Sequence, residues 1–371
     1  MTWADAERVL CVRLDAMGDV LMTTPALRAL RDSGPPGRTI TLLTSPSGAA
    51  VAPLIPEVDA TITYDAPWMK ATGLKSDGAS DRAFIHQLRE ARFDAAAIFT
   101  VYSQNPLPAA LLCHLADIPL RLAHCRENPY QLLSDRVAEV EPETTIRHEA
   151  RRQLDLVATV GAGTVDERLS LRVPDEARAS IGRRLRALGI GDQTDWAVIH
   201  PGATAPSRRY PPAQFAQAAH RLIQADFRLI FTGDASEAPL VDAIRGEVGE
   251  GVTHSLAGRL NLAEFAALVE AAPVLISNNT GPVHVASAVG TPVVDLYALT
   301  NLQHTPWMVP HRVLFHDVAC KLCYKSICPE GHHNCLRLVS PDEVADAAIA
   351  LAQAGRGAVC PPFAFAGLLH W

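Results

Sequence analysis

No apolar run among the 371 residues reaches the roughly 18 that a membrane-crossing helix needs, so no span is expected. The first residues, MTWADAERVL, lack a basic stretch followed by an apolar one. No secretory leader is therefore expected, and the cytoplasm is the expected compartment. Cationic excess is missing too: 33 Lys and Arg face 40 Asp and Glu, a net charge of −7. That argues against a nucleic-acid partner, which needs a basic face. Any anion site must be a local cluster on an acidic background. The two common phosphate loops are also missing. Neither a Walker loop nor a G-x-G-x-x-G fingerprint follows a strand-like segment, which weakens kinase and dehydrogenase readings. No acidic pair is evidently placed for a catalytic Mg²⁺.

What is present is alternation. RVLCVRL is followed by the helical pattern DVLMTTPALRALRDSG, then TITLLTS; FDAAAIF precedes PLPAALLCHLAD. This βαβ rhythm predicts an α/β protein with parallel sheets covered on both faces. A second series starts at WAVIHPG, after the helical PDEARASIGRRLRALG. The expected organisation is a domain over 1–180, a second over 181–345, and a helix end with an apolar tail, 346–371, packed on the body. Ser340 and Pro341 read as cap and first residue of the last helix.

Four stretches carry candidate chemistry. In LDAMGDVLMTTPALRAL, Asp19 stands at a strand-to-helix turn with Met17 and Gly18, as either a helix cap or a base. In HPGATAPSRRYPPAQF, Arg208 and Arg209 precede a helix; an arginine fork suits phosphate, while a solvated pair is the plain alternative. In ISNNTGPVHVASAVG, Asn279, Thr280, Gly281 and Pro282 lead into a helix whose free N–H groups suit an anion. His284 lies in its first turn, as a ligand contact or a buried histidine fixing the loop. In FTGDASE, Gly233 makes the turn, and Asp234 or Glu237 suits ribose hydroxyls or simply caps the next helix. The last three stretches belong to the second series and together describe a nucleotide-diphosphate site.

Cysteine is concentrated. Cys11, Cys113, Cys125 and Cys360 stand alone, whereas Cys320, Cys323, Cys328 and Cys335 lie together with His332 and His333. Two readings stand: a structural zinc, or packed, redox-labile thiols. Only the first pair has knuckle spacing.

Together these stretches resemble glycosyltransferase family 9, the heptosyltransferase family, through VRLDAMGDVLMTTPALRALR, HPGATAPSRRYP, NNTGPVHVASAVGTPVVDLY and the CKLCYKSICPEGHHNCL segment. The resemblance implies the GT-B fold, two Rossmann-like domains facing across a cleft. It implies inverting, metal-independent transfer of a heptose or related sugar from ADP-heptose to a glycan or lipid-linked, lipopolysaccharide-core acceptor. No cofactor is implied, and at most peripheral association with the inner membrane. It places the general base at Asp19, beside Gly18 and Met17 on the acceptor side. It places the diphosphate cation at Arg208 with Arg209, the anion-binding helix start at Thr280, Gly281, Pro282 and His284, and the ribose carboxylate at Glu237. Two departures concern the donor: Asn279 stands where the family usually has Asp, and ALTN (298–301) where it tends to have G-P-T-D. The alternatives are a sugar-nucleotide epimerase on the same architecture, or a non-catalytic nucleotide-sugar binder. Lys70 and Lys75, in a mixed-charge loop, are candidates to meet anionic acceptor groups. If the phosphate loops all belong to the second domain, the missing glycines near Asp19 reflect a division of labour between the domains.

Overall fold

β-branched and apolar runs such as VLCVR and VVDL form strands because helices on both faces bury every side chain, removing the need for alternation. The computed structural model describes residues 1–70, 72–73, 77–191, 193–249 and 251–355. The chain divides into two compact units, Met1–Ser170 and Leu171 onward.

The first unit holds strands β1 (Arg8–Arg13), β2 (Thr39–Thr44), β3 (Ala60–Thr63), β4 (Ala95–Ile98), β5 (Leu120–Cys125) and β6 (Asp135–Ala138). All pair in parallel, in the order β3-β2-β1-β4-β5-β6. Val9 is in register with Ile40 on one side and Ala95 on the other. The winding reverses between β1 and β4, which opens a crevice at their carboxyl ends. Leu10, Val12, Ile98, Leu112 and Ile118 form part of the core beneath it. The helix Met17–Asp32 contains Pro25, which lacks the N–H that would serve the Leu21 carbonyl. The Thr24 hydroxyl donates to that carbonyl instead, at 2.7 Å. This helix packs along Glu149–Ala158, which brings that segment beneath the crevice.

The second unit holds β7 (Trp196–His200), β8 (Arg228–Phe231), β9 (Thr253–Ser255), β10 (Leu275–Asn278), β11 (Val293–Leu296) and β12 (His311–Leu314). The order β12-β11-β10-β7-β8-β9 repeats the winding of the first unit, so its reversal falls between β7 and β10. Together the two parallel, doubly wound sheets are the α/β, GT-B class of fold.

The division between the units lies ten residues before the expected one. The helix Asp175–Ala187 is tied to the second unit: Arg178 donates to both oxygens of Glu270 (2.7 and 2.9 Å), and the Ser180 hydroxyl donates to Glu264 at 2.7 Å. The last helix runs Pro341–Ala354. Ser340 caps it, accepting from the Asp342 N–H at 3.2 Å while Glu343 accepts from the Ser340 N–H at 3.0 Å. Val344, Ala345, Ala348 and Leu351 are in the second unit's core. The apolar tail from 356 and Lys75 lie outside the described residues. Among those described, no helix is long and apolar enough to cross a membrane.

Candidate active site

In the first unit the turn after β1 is organised by one arginine. Arg13 is fully buried at the strand end, where a guanidinium is tolerated only if its charge is matched. Three carboxylates match it: Glu149 at 2.7 Å, Asp15 at 2.9 Å and Asp19 at 3.3 Å. Burial alone would lower the Arg13 pKa, but these three neighbours hold it above its ordinary value. The Asp15 carboxyl is pushed up to about 6, chiefly by burial, with Arg13 pulling it down and Asp19 pushing it up. Gln104, on the loop after β4, donates its amide to Asp15.

Asp19 occupies the third position of its helix. Its Oδ2 accepts from the Ala16 N–H at 3.1 Å, closing the first turn, while Oδ1 faces Arg13. The side chain stays 19% exposed, enough to meet a substrate hydroxyl. Cap and base are therefore compatible roles for one carboxylate. Gly18 is buried and Met17 half-buried in the same turn. Arg13, Asp15 and Glu149 went unassigned in the sequence. The first two lie inside RLDAMGD, beside the acid that drew attention; Glu149 is 136 residues from Arg13 and shows only through the helix packing.

In the second unit the loop after β7 carries Arg208 and Arg209. Asn278, at the end of β10, fixes it: its Oδ1 accepts from the Tyr210 N–H at 2.9 Å and its Nδ2 donates to the Pro201 carbonyl at 2.7 Å. Arg208 is half-buried and its guanidinium makes no hydrogen bond to any described residue, but its charge is felt by Asp295. Arg209 is exposed, and its Nε donates to the Ala203 carbonyl at 2.8 Å. The helix Gly281–Val289 starts after Thr280. Pro282 has no N–H, and that of Val283 is spent on the Thr280 carbonyl at 3.0 Å. The helix start thus offers an anion fewer donors than its spacing implied, leaving the larger share to Arg208. His284 is 4% exposed, edge-on to His304 with ring centres 6.5 Å apart.

Asn279 is turned inward. Its Nδ2 donates to Asp295 Oδ2 at 2.9 Å and to the His304 carbonyl at 2.8 Å, so both amide hydrogens are used inside the unit. Asp295 is fully buried, and burial raises its carboxyl well above the usual range, against the Asn279 bond and Arg208.

Glu237 binds its own loop. Its Oε2 accepts from the Asp234 N–H at 2.9 Å. The carboxylate lies where a side chain at Gly202 would begin: a Cβ there would stand 1.9 Å from Oε1. A Cβ at Gly233 would stand 3.0 Å from the Glu237 Cβ. His200 Nε2 is 3.6 Å away, but burial pushes that ring's pKa down to about 4, so it is neutral and makes no ion pair. Asp234 caps the turn, accepting from Ser236 and Glu237 N–H groups at 2.7 and 3.0 Å.

Cys320, Cys323, Cys328 and Cys335 line one small cavity with His332 and His333. Cys320 Sγ is 3.7 Å from His332 Nε2. Yet no three His, Cys, Asp or Glu side chains among the described residues are grouped to hold a metal ion, so the zinc expectation is not supported. The segment instead braces the loops at Ser207 and at residues 299–300 by ordinary hydrogen bonds. Ser207 donates from N to Ser326 O (3.0 Å) and from Oγ to Lys325 O (2.8 Å). Leu322 N donates to Leu299 O (2.7 Å), and Tyr324 N to Thr300 O (3.0 Å).

The chain thus carries twin doubly wound sheets, with an acid at the switch point of one and an arginine at the switch point of the other. Residues 82–333 match the model of glycosyltransferase family 9 (heptosyltransferase), and the chain belongs to that family. It is 25% identical over 350 residues to lipopolysaccharide heptosyltransferase 2 of Escherichia coli (strain K12), covering 91% of this chain and 96% of that protein. It is similar to the solved glycosyl transferase family 9 protein of Veillonella parvula DSM 2008 (TM-score 0.77, 21% identity, 95% of this chain and 99% of that one). It is also similar to the E. coli ADP-heptose lps heptosyltransferase II (TM-score 0.72, 22% identity, 93% and 98%).

Proposed function

We propose that this glycosyltransferase moves a heptose or related sugar, with inversion and without a metal, from an ADP-sugar to a glycan of lipopolysaccharide-core type. The observation that carries the reading is the Asp19 carboxylate, partly exposed at the first switch point and oriented by the buried Arg13. An acceptor hydroxyl gives its proton to Asp19 as its oxygen attacks the anomeric carbon. The bond from that carbon to the diphosphate breaks, and the negative charge collects on the leaving diphosphate. Arg208 offsets that charge, assisted by the start of the Gly281–Val289 helix. A positioned base contributes about 10²–10⁴-fold. The E. coli relative named for ADP-heptose supports ADP as the nucleotide. Asn279, bound to Asp295 rather than turned outward, leaves the sugar's identity to other residues of the 298–305 loop. The reaction is placed in the cytoplasm, with at most peripheral contact with the inner membrane and no nucleic-acid partner.

A melting-temperature screen with ADP-, GDP-, UDP- and dTDP-sugars tests the donor, since bound ligand stabilises by mass action. The largest shift is expected with ADP-sugars, followed by transfer to a core oligosaccharide. Stabilisation by another nucleotide alone would displace the ADP assignment. Turnover of the sugar nucleotide without an acceptor would mark an epimerase.

A further inference from the structure

The two arginines at the switch points keep different company. Three carboxylates lie within 3.3 Å of Arg13. Arg208 has none within hydrogen-bond reach among the described residues, and its charge acts instead on the carboxyl of Asp295. The chain brings these two groups together by a short route. The Tyr210 N–H, two residues beyond Arg208, is held by Asn278 at the end of β10. The next residue, Asn279, donates to Asp295 Oδ2 at 2.9 Å.

Asp295 has little else to support a charge. Its side chain is fully buried, and Oδ1 has no hydrogen-bond partner among the described residues. Its register neighbours are Ser277 on β10 and Val313 on β12, and the Ser277 hydroxyl donates to the Asn278 carbonyl at 2.8 Å. Of the helices packed on β11, Pro341–Ala354 turns Val344, Ala345 and Ala348 into the core. Gly281–Val289 carries one titratable side chain, His284, edge-on to the His304 ring. His304 meets Asn279 through its carbonyl. Tyr297, two residues along the chain, holds its proton more tightly because of Asp295. Among the described residues Arg208 is therefore the one cation that favours an ionised Asp295. Burial opposes that ionisation, so this acid changes charge well above the ordinary aspartate range.

Two anions thus compete for one guanidinium. A diphosphate at Arg208 takes up the positive charge that favours the Asp295 carboxylate, and its own negative charge repels that carboxylate. The buried side chain cannot turn to water instead. With the diphosphate bound, the neutral acid is the favoured form.

We propose that Asp295 is a proton-linked counter-group to Arg208: a nucleoside diphosphate binding there drives one proton onto the Asp295 carboxylate, and loss of that proton loosens the nucleotide. The proton comes from a buffer acid, which is left as its conjugate base. This rests on the donor reading of Arg208 and adds a pH-sensitive control of the same site. Such coupling is reciprocal. Affinity is full below the pH at which Asp295 ionises in the free chain, and it falls as pH rises through the higher value in the complex.

The test is titration calorimetry of the full chain with ADP between about pH 6 and 9, in pairs of buffers of different ionisation enthalpy, which counts the protons taken up. Adenosine is the uncharged control. Asp295→Asn keeps the shape and the bond from Asn279 but cannot ionise. The titration of ADP itself is common to both proteins. Within this interval the wild type is expected to take up more protons than the variant, by up to about one. Its Kd for ADP matches the variant's at the acid end and exceeds it at least about fivefold at the alkaline end. Adenosine binds both proteins alike. Equal proton counts with parallel pH profiles overturn the proposal. So does an equal change in adenosine affinity, which marks Asp295 as holding the fold only. If melting shows the variant unfolded, the wild-type count decides, and uptake no greater than the titration of ADP itself overturns the proposal. Absence of ADP binding to the wild type at every pH strikes the donor reading, and this proposal with it.

Discussion

Arg13 Nη1 lies 2.7 Å from Glu149 Oε1, and neither side chain is exposed. Such a pair contributes little net energy when intact, because desolvation offsets attraction, but breaking it is costly. Arg13→Met leaves Glu149 buried without its counter-charge. Urea denaturation should show a loss of about 3–5 kcal/mol. A loss below about 1 kcal/mol would show that Glu149 finds another partner.

Asp19→Asn keeps the side chain's shape and removes its basicity. Turnover is expected to fall about 10²–10⁴-fold, while ADP binding in the second unit stays the same. Steady-state kinetics with parallel calorimetry separates the two effects. Undiminished turnover would remove Asp19 from the proton transfer.

Arg208→Ala removes a charge that no described residue hydrogen-bonds, so its effect should appear in the ligand. The Kd for ADP is expected to rise about 10- to 150-fold, the equivalent of one charge-assisted bond. Arg209→Ala should cost less, because Arg209 is exposed and its Nε is already engaged by Ala203. Titration calorimetry on both variants ranks them; equal losses would contradict this assignment.

Asn279→Asp replaces a double donor with a carboxylate facing Asp295. The bond to the His304 carbonyl is lost, and at low pH the two acids can share a proton. Stability should fall by about 1–3 kcal/mol and fall further as pH rises from 5 to 8. Thermal melts at the two pH values check the sign.

His124 and His200 are each held near a pKa of about 4 in the folded chain, against an ordinary value of 6.5, first by burial. Between pH 6.5 and 4 the unfolded chain binds protons that the folded one refuses. The stability these rings contribute is therefore complete above pH 6.5 and is lost as pH falls towards 4, by up to about 3 kcal/mol each. Asp15, raised to about 6, acts oppositely: its contribution is lost as pH rises from about 4 to 6. Comparing His200→Gln with wild type across this interval isolates one ring, and the variant's pH profile should be the flatter.

The two sheets were legible because buried parallel strands read as unbroken apolar runs, such as VLCV and AAAI. The helix cap at Ser340 was legible from the local run of serine followed by proline. The acid at Asp19 was visible, but its support was not. Glu149 reaches Arg13 only once two helices pack, and sequence spacing carries no trace of that. At Asn279 a polar residue at a strand end reads as a ligand contact, and the buried Asp295 that takes its amide hydrogen leaves no trace in the local sequence. The division between units was placed late because the helix Asp175–Ala187 looks alike from either side until Arg178 meets Glu270.

The brace between the cysteine segment and the loops at Ser207 and residues 299–300 gives those thiols a use as reporters. Cys320, Cys323, Cys328 and Cys335 are partly exposed, whereas Cys11, Cys113 and Cys125 are buried. In a Cys360→Ser background, alkylation therefore concentrates on the segment whose backbone holds Ser207, Leu299 and Thr300. On the proposed donor assignment, a nucleotide that quiets those loops slows the labelling, so its binding becomes readable by mass spectrometry, with no acceptor and no turnover.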